Sequence, residues 1–204
     1  MVDSCKECQS CKNGREQDCC KTVLTYASFD WRHDNEYTQG GYSNTIVVSE
    51  DFAIKFPKEV KQEKAAPLLC AGITTYSPIK QANVSERDIV GVIGLGGLGT
   101  MAVKYMKELG CKVIAFDTSD KEKYADKLGI GFVCMKDGID ESLYRKFDFM
   151  ISTVPYKYDI NDYLPLMKYN GSFAIVGLPP YDECPSISIK DMILKYPGVK
   201  IFGS

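Results

Sequence analysis

Residues Asp88–Asp117 read DIVGVIGLGGLGTMAVKYMKELGCKVIAFD, and the period of the apolar residues changes twice along this stretch. DIVGVIG is a short continuous apolar run, the pattern of a strand buried on both faces. Six residues, Gly94, Leu95, Gly96, Gly97, Leu98 and Gly99, then interrupt it. LGTMAVKYMKELG follows with the spacing of an amphipathic helix, and CKVIAFD is a second apolar strand ending on Asp117. Strand, glycine turn, helix and strand make one βαβ unit.

The turn has the form G-x-G-x-x-G at Gly94, Gly96 and Gly99, between a strand and a helix, with an acid 18 residues beyond Gly99. In that context the motif points to a dinucleotide. Gly94 makes the tight turn, Gly96 lets backbone approach a pyrophosphate, and Gly99 permits close helix–strand packing. The helix N-terminus offers unpaired N–H groups to the phosphates. A glycine-rich turn without ligand is the alternative. Asp117 is placed to accept from an adenosine ribose, which favours NAD over NADP, although Thr118, Ser119 and Lys121 could surround a 2′-phosphate. Asp117 could also simply cap the next helix.

Downstream, strands are expected at GFVCM, FDFMIST, SFAIVGLPP and VKIFGS with helical segments between them, so the sheet is parallel and doubly wound. Upstream, KEVKQEKAAPLLCAGITTYSPIKQA favours helix, limited in length by Pro67 and Pro78. NTIVVS, behind the Gly40-Gly41 turn, is a β-branched run that predicts a strand. A domain boundary is expected near Pro57–Lys64. By residue type alone, Cys70 among leucines and alanines reads as a small buried apolar side chain. His33, the only histidine, reads as a solvated loop residue.

Five of the nine cysteines fall in the first 20 residues. Cys5, Cys8, Cys11 and Cys19 read C-x2-C-x2-C-x7-C, a spacing that lets four thiolates converge on one Zn²⁺. Four sulfurs leave no position for water, so the site would be structural. Cys20 competes with Cys19 for the fourth place, and spacing alone leaves that open; disulfides or reduced thiols are the other readings. MVDSCKECQ has no apolar core region of a secretory signal, and the expected compartment is the reducing cytoplasm. The longest apolar stretch is short of a membrane span and rich in glycine. A net charge of −2 gives no reason to expect a nucleic acid or an anionic membrane as partner.

Together CKECQSCKNGREQDC, YTQGGYS, AAPLLCAGITTYSP, VGVIGLGGLGTMAVKYMKELGCKV, STVP and AIVGLP resemble the zinc-dependent medium-chain alcohol dehydrogenases, in the branch of the cinnamyl alcohol dehydrogenases. The resemblance implies a Rossmann domain over residues 61–204 and, over residues 1–60, part of a GroES-like catalytic domain bearing the structural zinc lobe. It makes Cys19 the fourth structural ligand and Cys70 a ligand of a catalytic zinc. Thr74, Thr153, Val154, Val176, Gly177 and Leu178 match segments beside the nicotinamide and its ribose. The implied activity interconverts primary alcohols and aldehydes with NAD(P), in a homodimer paired along the sheet edge. Asp117 departs from the serine or threonine usual in the branch. The family's other catalytic ligands, a cysteine and a His-Glu pair upstream, and its helices downstream have no counterpart in this sequence. Cys70 is therefore expected to stand alone, and the alternatives are an inactive truncated remnant that binds a dinucleotide and one zinc, or an interaction protein assembling through the last strand.

Overall fold

Two units, Met1–Lys61 and Gln62–Ser204, make up the chain in the computed structural model, which describes residues 1–204. The first is closed near its start by an antiparallel bridge between Asp3 and Val23. Val2 N–H donates to the Val23 carbonyl and Val23 N–H to the Asp3 carbonyl, each at 2.9 Å. Within that closed segment lie one helical turn, α1 (Gln9–Lys12), and a 3-10 turn at Glu16–Asp18. An antiparallel hairpin follows, β1 (Tyr26–Asp30) with β2 (Glu36–Gln39), with Phe29 opposite Tyr37. Asp34 and Asn35 take φ of 55° and 56° in its turn. Short polar side chains tolerate that left-handed region best.

NTIVVS does not form the expected strand. Thr45–Ser49 carries no ladder, and Val47 is 91% exposed. Only Ser49 N–H reaches a strand-like partner, the Val2 carbonyl at 2.9 Å. β-Branched residues favour a strand through neighbours on a pleated surface, and no neighbouring strand is present here to supply them.

The second unit starts with α2 (Gln62–Ala65), a 3-10 turn at Ala66–Leu69 and α3 (Ala71–Gln81). Pro67 sits in the first turn of its 3-10 segment, whereas Pro78 lies inside α3, in its last turn. The sheet elements are β3 (Ile89–Ile93), α4 (Gly97–Glu108), β4 (Lys112–Asp117), α5 (Glu122–Leu128), β5 (Gly131–Cys134), β6 (Phe147–Ser152), β7 (Met167–Ile175), α6 (Ile189–Leu194) and β8 (Lys200–Gly203). All six strands pair in parallel, in the order β5-β4-β3-β6-β7-β8. Counted within the sheet this is 3-2-1-4-5-6, so the winding reverses between β3 and β6. A ligand of such a sheet binds beyond the strand ends at that reversal.

Both sheet faces are covered. On one, Val90, Val92, Ala115 and Ile151 pack with Ile79, Ala102, Val103 and Met106. On the other, Ile93, Phe116, Phe147, Met150 and Phe173 pack with Ile160, Leu164 and Leu166. Each large side chain so buried is worth about 1.5–3 kcal/mol relative to exposure. The buried stripe of α4, Gly99, Ala102, Val103 and Met106, has the three- and four-residue steps of one helical face. No helix is long and apolar enough to cross a membrane.

Candidate functional site

Gly94 ends β3 with φ 86°, a conformation that glycine adopts without strain. The chain then turns through Leu95 into Gly96, the N-cap of α4. Gly99 lies so close to the turn that a Cβ there would stand 2.0 Å from the Gly94 carbonyl oxygen. Thr153, at the end of β6, locks the same turn from the other side. Its hydroxyl donates to the carbonyls of Ile93 at 3.0 Å and Gly94 at 2.8 Å.

A cleft of about 560 Å³ opens at this point, beyond the ends of β3, β4 and β6. Gly94, Gly96, Gly97 and Leu98 form one wall and Asp117, Thr118, Ser119 and Lys121 another, with Thr153 and Val154 facing them. A side chain at Gly96 or Gly97 would meet no atom within 4 Å, so the turn presents bare backbone to the cleft. Leu95 is buried behind the wall, 2% exposed. The N-terminus of the 12-residue helix α4 follows directly. Backbone N–H groups and a helix dipole are the features that hold a pyrophosphate.

Asp117 does not point outward. Its side chain is 10% exposed. Oδ2 accepts from Leu95 N–H at 2.8 Å and from Lys121 Nζ at 2.9 Å, while Oδ1 accepts from Ser119 N–H at 2.9 Å. Burial pushes this carboxyl up, but the Lys121 ammonium and the two N–H groups outweigh it and hold it below the usual carboxylate range. Asp117 is not the cap of the next helix, since the N-cap of α5 is Lys121.

Sequence reasoning missed the aromatic floor of the cleft. Phe116, Tyr158 and Tyr163 line it, with Tyr156 and Lys157 at the exposed rim. Tyr163 stands edge-on to Phe116 at 5.9 Å and to Tyr158 at 6.1 Å. The only available signal was the aromatic pair in PYKYD, which reads equally well as loop.

Other expected residues lie elsewhere. Val176 and Gly177 donate backbone N–H to the Ser152 carbonyl at 2.9 and 3.1 Å. With the exposed Leu178 they line a separate hollow beside β8, together with Ile201 and Phe202. Thr74 is half-buried in the first turn of α3, its N–H on the Cys70 carbonyl at 2.9 Å. The reading of Cys70 as core is corrected: the residue is exposed at the N-cap of α3, where the 3-10 turn ends and no strand covers it.

In the first unit the Sγ atoms of Cys5, Cys8, Cys11 and Cys19 all lie within 4.8 Å of one another. Cys8–Cys11 and Cys19–Cys5 are 3.5 Å apart and Cys5–Cys11 4.0 Å. Bonds of about 2.3 Å to a tetrahedral Zn²⁺ require sulfur separations of about 3.8 Å, so the set fits the ion. Cys19 is buried in the cluster, and Cys20 is exposed. Backbone N–H groups serve the sulfurs: Cys5 and Lys21 donate to Cys19 Sγ at 3.4 and 3.3 Å, and Glu7 and Cys8 to Cys5 Sγ at 3.4 and 3.3 Å.

These donors lower the Cys19 thiol to about 6, the Cys5 N–H contributing most. Cys8 is lowered by the Cys11 N–H. At Cys11 the Ser4 hydroxyl favours the thiolate, yet desolvation and the Cys8 and Cys19 sulfurs outweigh it and push the thiol up to about 11. Four anions this close resist full ionisation without a cation. No second group of three or more neighbouring His, Cys, Asp or Glu ligand atoms exists in the chain.

A parallel sheet wound 3-2-1-4-5-6 with a glycine turn at its reversal defines a Rossmann-type α/β protein, here with a cluster of four thiols that could hold a metal ion in the same chain. Residues 97–204 match the family model described as zinc-binding dehydrogenase, and the chain belongs to that family. The NADP-dependent alcohol dehydrogenase C 1 of Mycolicibacterium smegmatis is 42% identical over 196 residues, 93% of this chain and 55% of that protein. The crystal structure of CAD from Helicobacter pylori complexed with NADP(H) superposes with a TM-score of 0.91 at 46% identity, over 99% of this chain and 57% of that one. A cinnamyl alcohol dehydrogenase of Sorghum bicolor superposes at 0.90 with 36% identity, over 99% and 57%. The chain thus spans about half the length of the relatives it matches.

Proposed function

We propose that the chain provides the coenzyme-binding unit and the structural zinc lobe of a zinc-type alcohol dehydrogenase that interconverts primary alcohols and aldehydes with NADP(H). The observation that carries this reading is the 560 Å³ cleft, walled by bare glycine backbone on one side and by Thr118, Ser119 and Lys121 on another. Two similar proteins are named for or complexed with the phosphorylated coenzyme. NADP(H), when bound, supplies the hydride carrier. The chain's own residues do the rest: the glycine turn and α4 take the pyrophosphate, and Thr118 and Ser119 meet the 2′-phosphate. Thr153 keeps the turn in place. Cys5, Cys8, Cys11 and Cys19 hold one zinc, which closes a lobe with little apolar core of its own.

A second reading is favoured by Cys70, which has no metal-ligating neighbours within these 204 residues. It is dinucleotide binding without turnover. Titration with NADPH followed by addition of a panel of primary aldehydes separates the two. Aldehyde-dependent loss of absorbance at the coenzyme's reduced band supports the dehydrogenase, binding without loss supports the second reading, and no binding overturns both.

The partner proposed along the outer edge of β8 is a second copy of the chain, since Ile201 and Phe202 there are only half-buried and the strand has an unpaired side. Cytoplasmic location is proposed from the reduced thiols the zinc lobe requires.

A further inference from the structure

An acid at the end of the second strand of this sheet ordinarily accepts from the adenosine ribose. Here three of the roughly four acceptor sites are already taken, and the side chain is only 10% exposed. Asp117 Oδ2 takes Leu95 N–H at 2.8 Å and Lys121 Nζ at 2.9 Å, and Oδ1 takes Ser119 N–H at 2.9 Å. The same Lys121 ammonium donates to the Leu95 carbonyl at 3.1 Å. Leu95 therefore has both backbone groups tied to the Asp117–Lys121 pair, in the middle of the glycine turn. Leu95 lies 22 residues before Asp117, so the pair crosses from β4 to the loop that leaves β3.

We infer that Asp117 is a positioning residue of the glycine turn and not a reader of the ribose. The inference rests on the dinucleotide reading of the cleft. Its carboxylate and the Lys121 ammonium form a strut that fixes Leu95 and, through it, the backbone of Gly94 and Gly96 facing the coenzyme. The charge that would repel a 2′-phosphate is neutralised inside the protein, and the exposed residues Thr118 and Ser119 line the cleft instead. An acid at this position then carries no preference for the unphosphorylated coenzyme.

Two measurements on the full chain test this. In the first, NADH is compared with its analogue lacking the 2′- and 3′-hydroxyls of the adenosine ribose, by fluorescence titration. Affinities within about threefold of each other are expected, because losing a hydrogen bond to a charged acceptor would weaken binding at least about tenfold. A larger loss with the analogue that disappears in Asp117→Asn makes Asp117 a ribose acceptor and overturns the inference. In the second, hydrogen exchange is followed at the Leu95 amide. Asp117→Ala is expected to speed it at least about tenfold and Asp117→Asn, which keeps one oxygen, to speed it less. An unchanged Leu95 amide overturns the strut. Should the alanine variant fail to fold, the asparagine variant decides on the same criterion. If no coenzyme binds, the dinucleotide reading has failed, and the exchange measurement still decides whether Asp117 fixes the turn.

Discussion

The Thr153 hydroxyl donates to the Gly94 carbonyl at 2.8 Å, although 59 residues separate the two in sequence. That bond joins the end of β6 to the left-handed turn after β3, across the point where the winding of the sheet reverses. Thr153→Val keeps the shape and removes the donor. The expected result is a stability loss of about 1 kcal/mol in urea unfolding, with weaker NADPH binding. Thr153→Ser should retain most of both, and an unchanged valine variant would show that the bond contributes nothing.

Gly99 answers to packing, not to turn geometry. A methyl group there would meet the Gly94 carbonyl oxygen at 2.0 Å, and carbonyl oxygen cannot yield as a side-chain tip can. Gly99→Ala is expected to destabilise the chain by about 2 kcal/mol or more through displacement of α4 from β3. Thermal or urea unfolding measures this directly, and a neutral result would mean that the helix sits further from the strand.

One zinc per chain is the expected content by elemental analysis of the purified protein. Cys19→Ser should abolish it and Cys20→Ser should not, because only Cys19 reaches the other three sulfurs. Two zincs would require a second site that these residues do not form.

Acid should release that zinc. The Cys19 thiol is lowered in the fold from the ordinary 9.0 to about 6. A lowered value favours the anion, so this contribution is complete above pH 9, fades as pH falls toward 6 and is gone below it. Protons therefore compete with metal increasingly on the acid side, and zinc affinity should drop steeply from pH 8 to pH 5. Affinity that rises on acidification would contradict the thiolate assignment.

Much of the second unit was legible in the sequence because its strands are buried on both faces. Val90, Val92 and Ile93, or Phe149, Met150 and Ile151, can only be apolar in a row if helices cover both sides. NTIVVS has an equally good β composition and still forms no strand, since a ladder depends on a partner that composition does not encode. The sulfur cluster was legible from spacing up to the choice between Cys19 and Cys20, which only the family resemblance made before the distances were known. The role of Asp117 was not legible. Spacing places it at a strand end, but only distances reveal that its oxygens meet Leu95 behind it and Lys121 ahead of it. The aromatic floor from Phe116, Tyr158 and Tyr163 was hidden for the same reason, as its members come from the end of β4 and from the connection between β6 and β7.

Gly96 offers the sharpest test of the cleft. It has an ordinary negative φ of −99°, and a side chain there meets nothing within 4 Å, so Gly96→Val should fold with a stability change of about 1 kcal/mol or less. Its side chain would occupy the space that the coenzyme's pyrophosphate is assigned. Titration of this variant with NADPH is expected to show at least about tenfold weaker binding than the unaltered chain. Equal affinity in a folded Gly96→Val protein would mean that the coenzyme does not lie against the glycine turn.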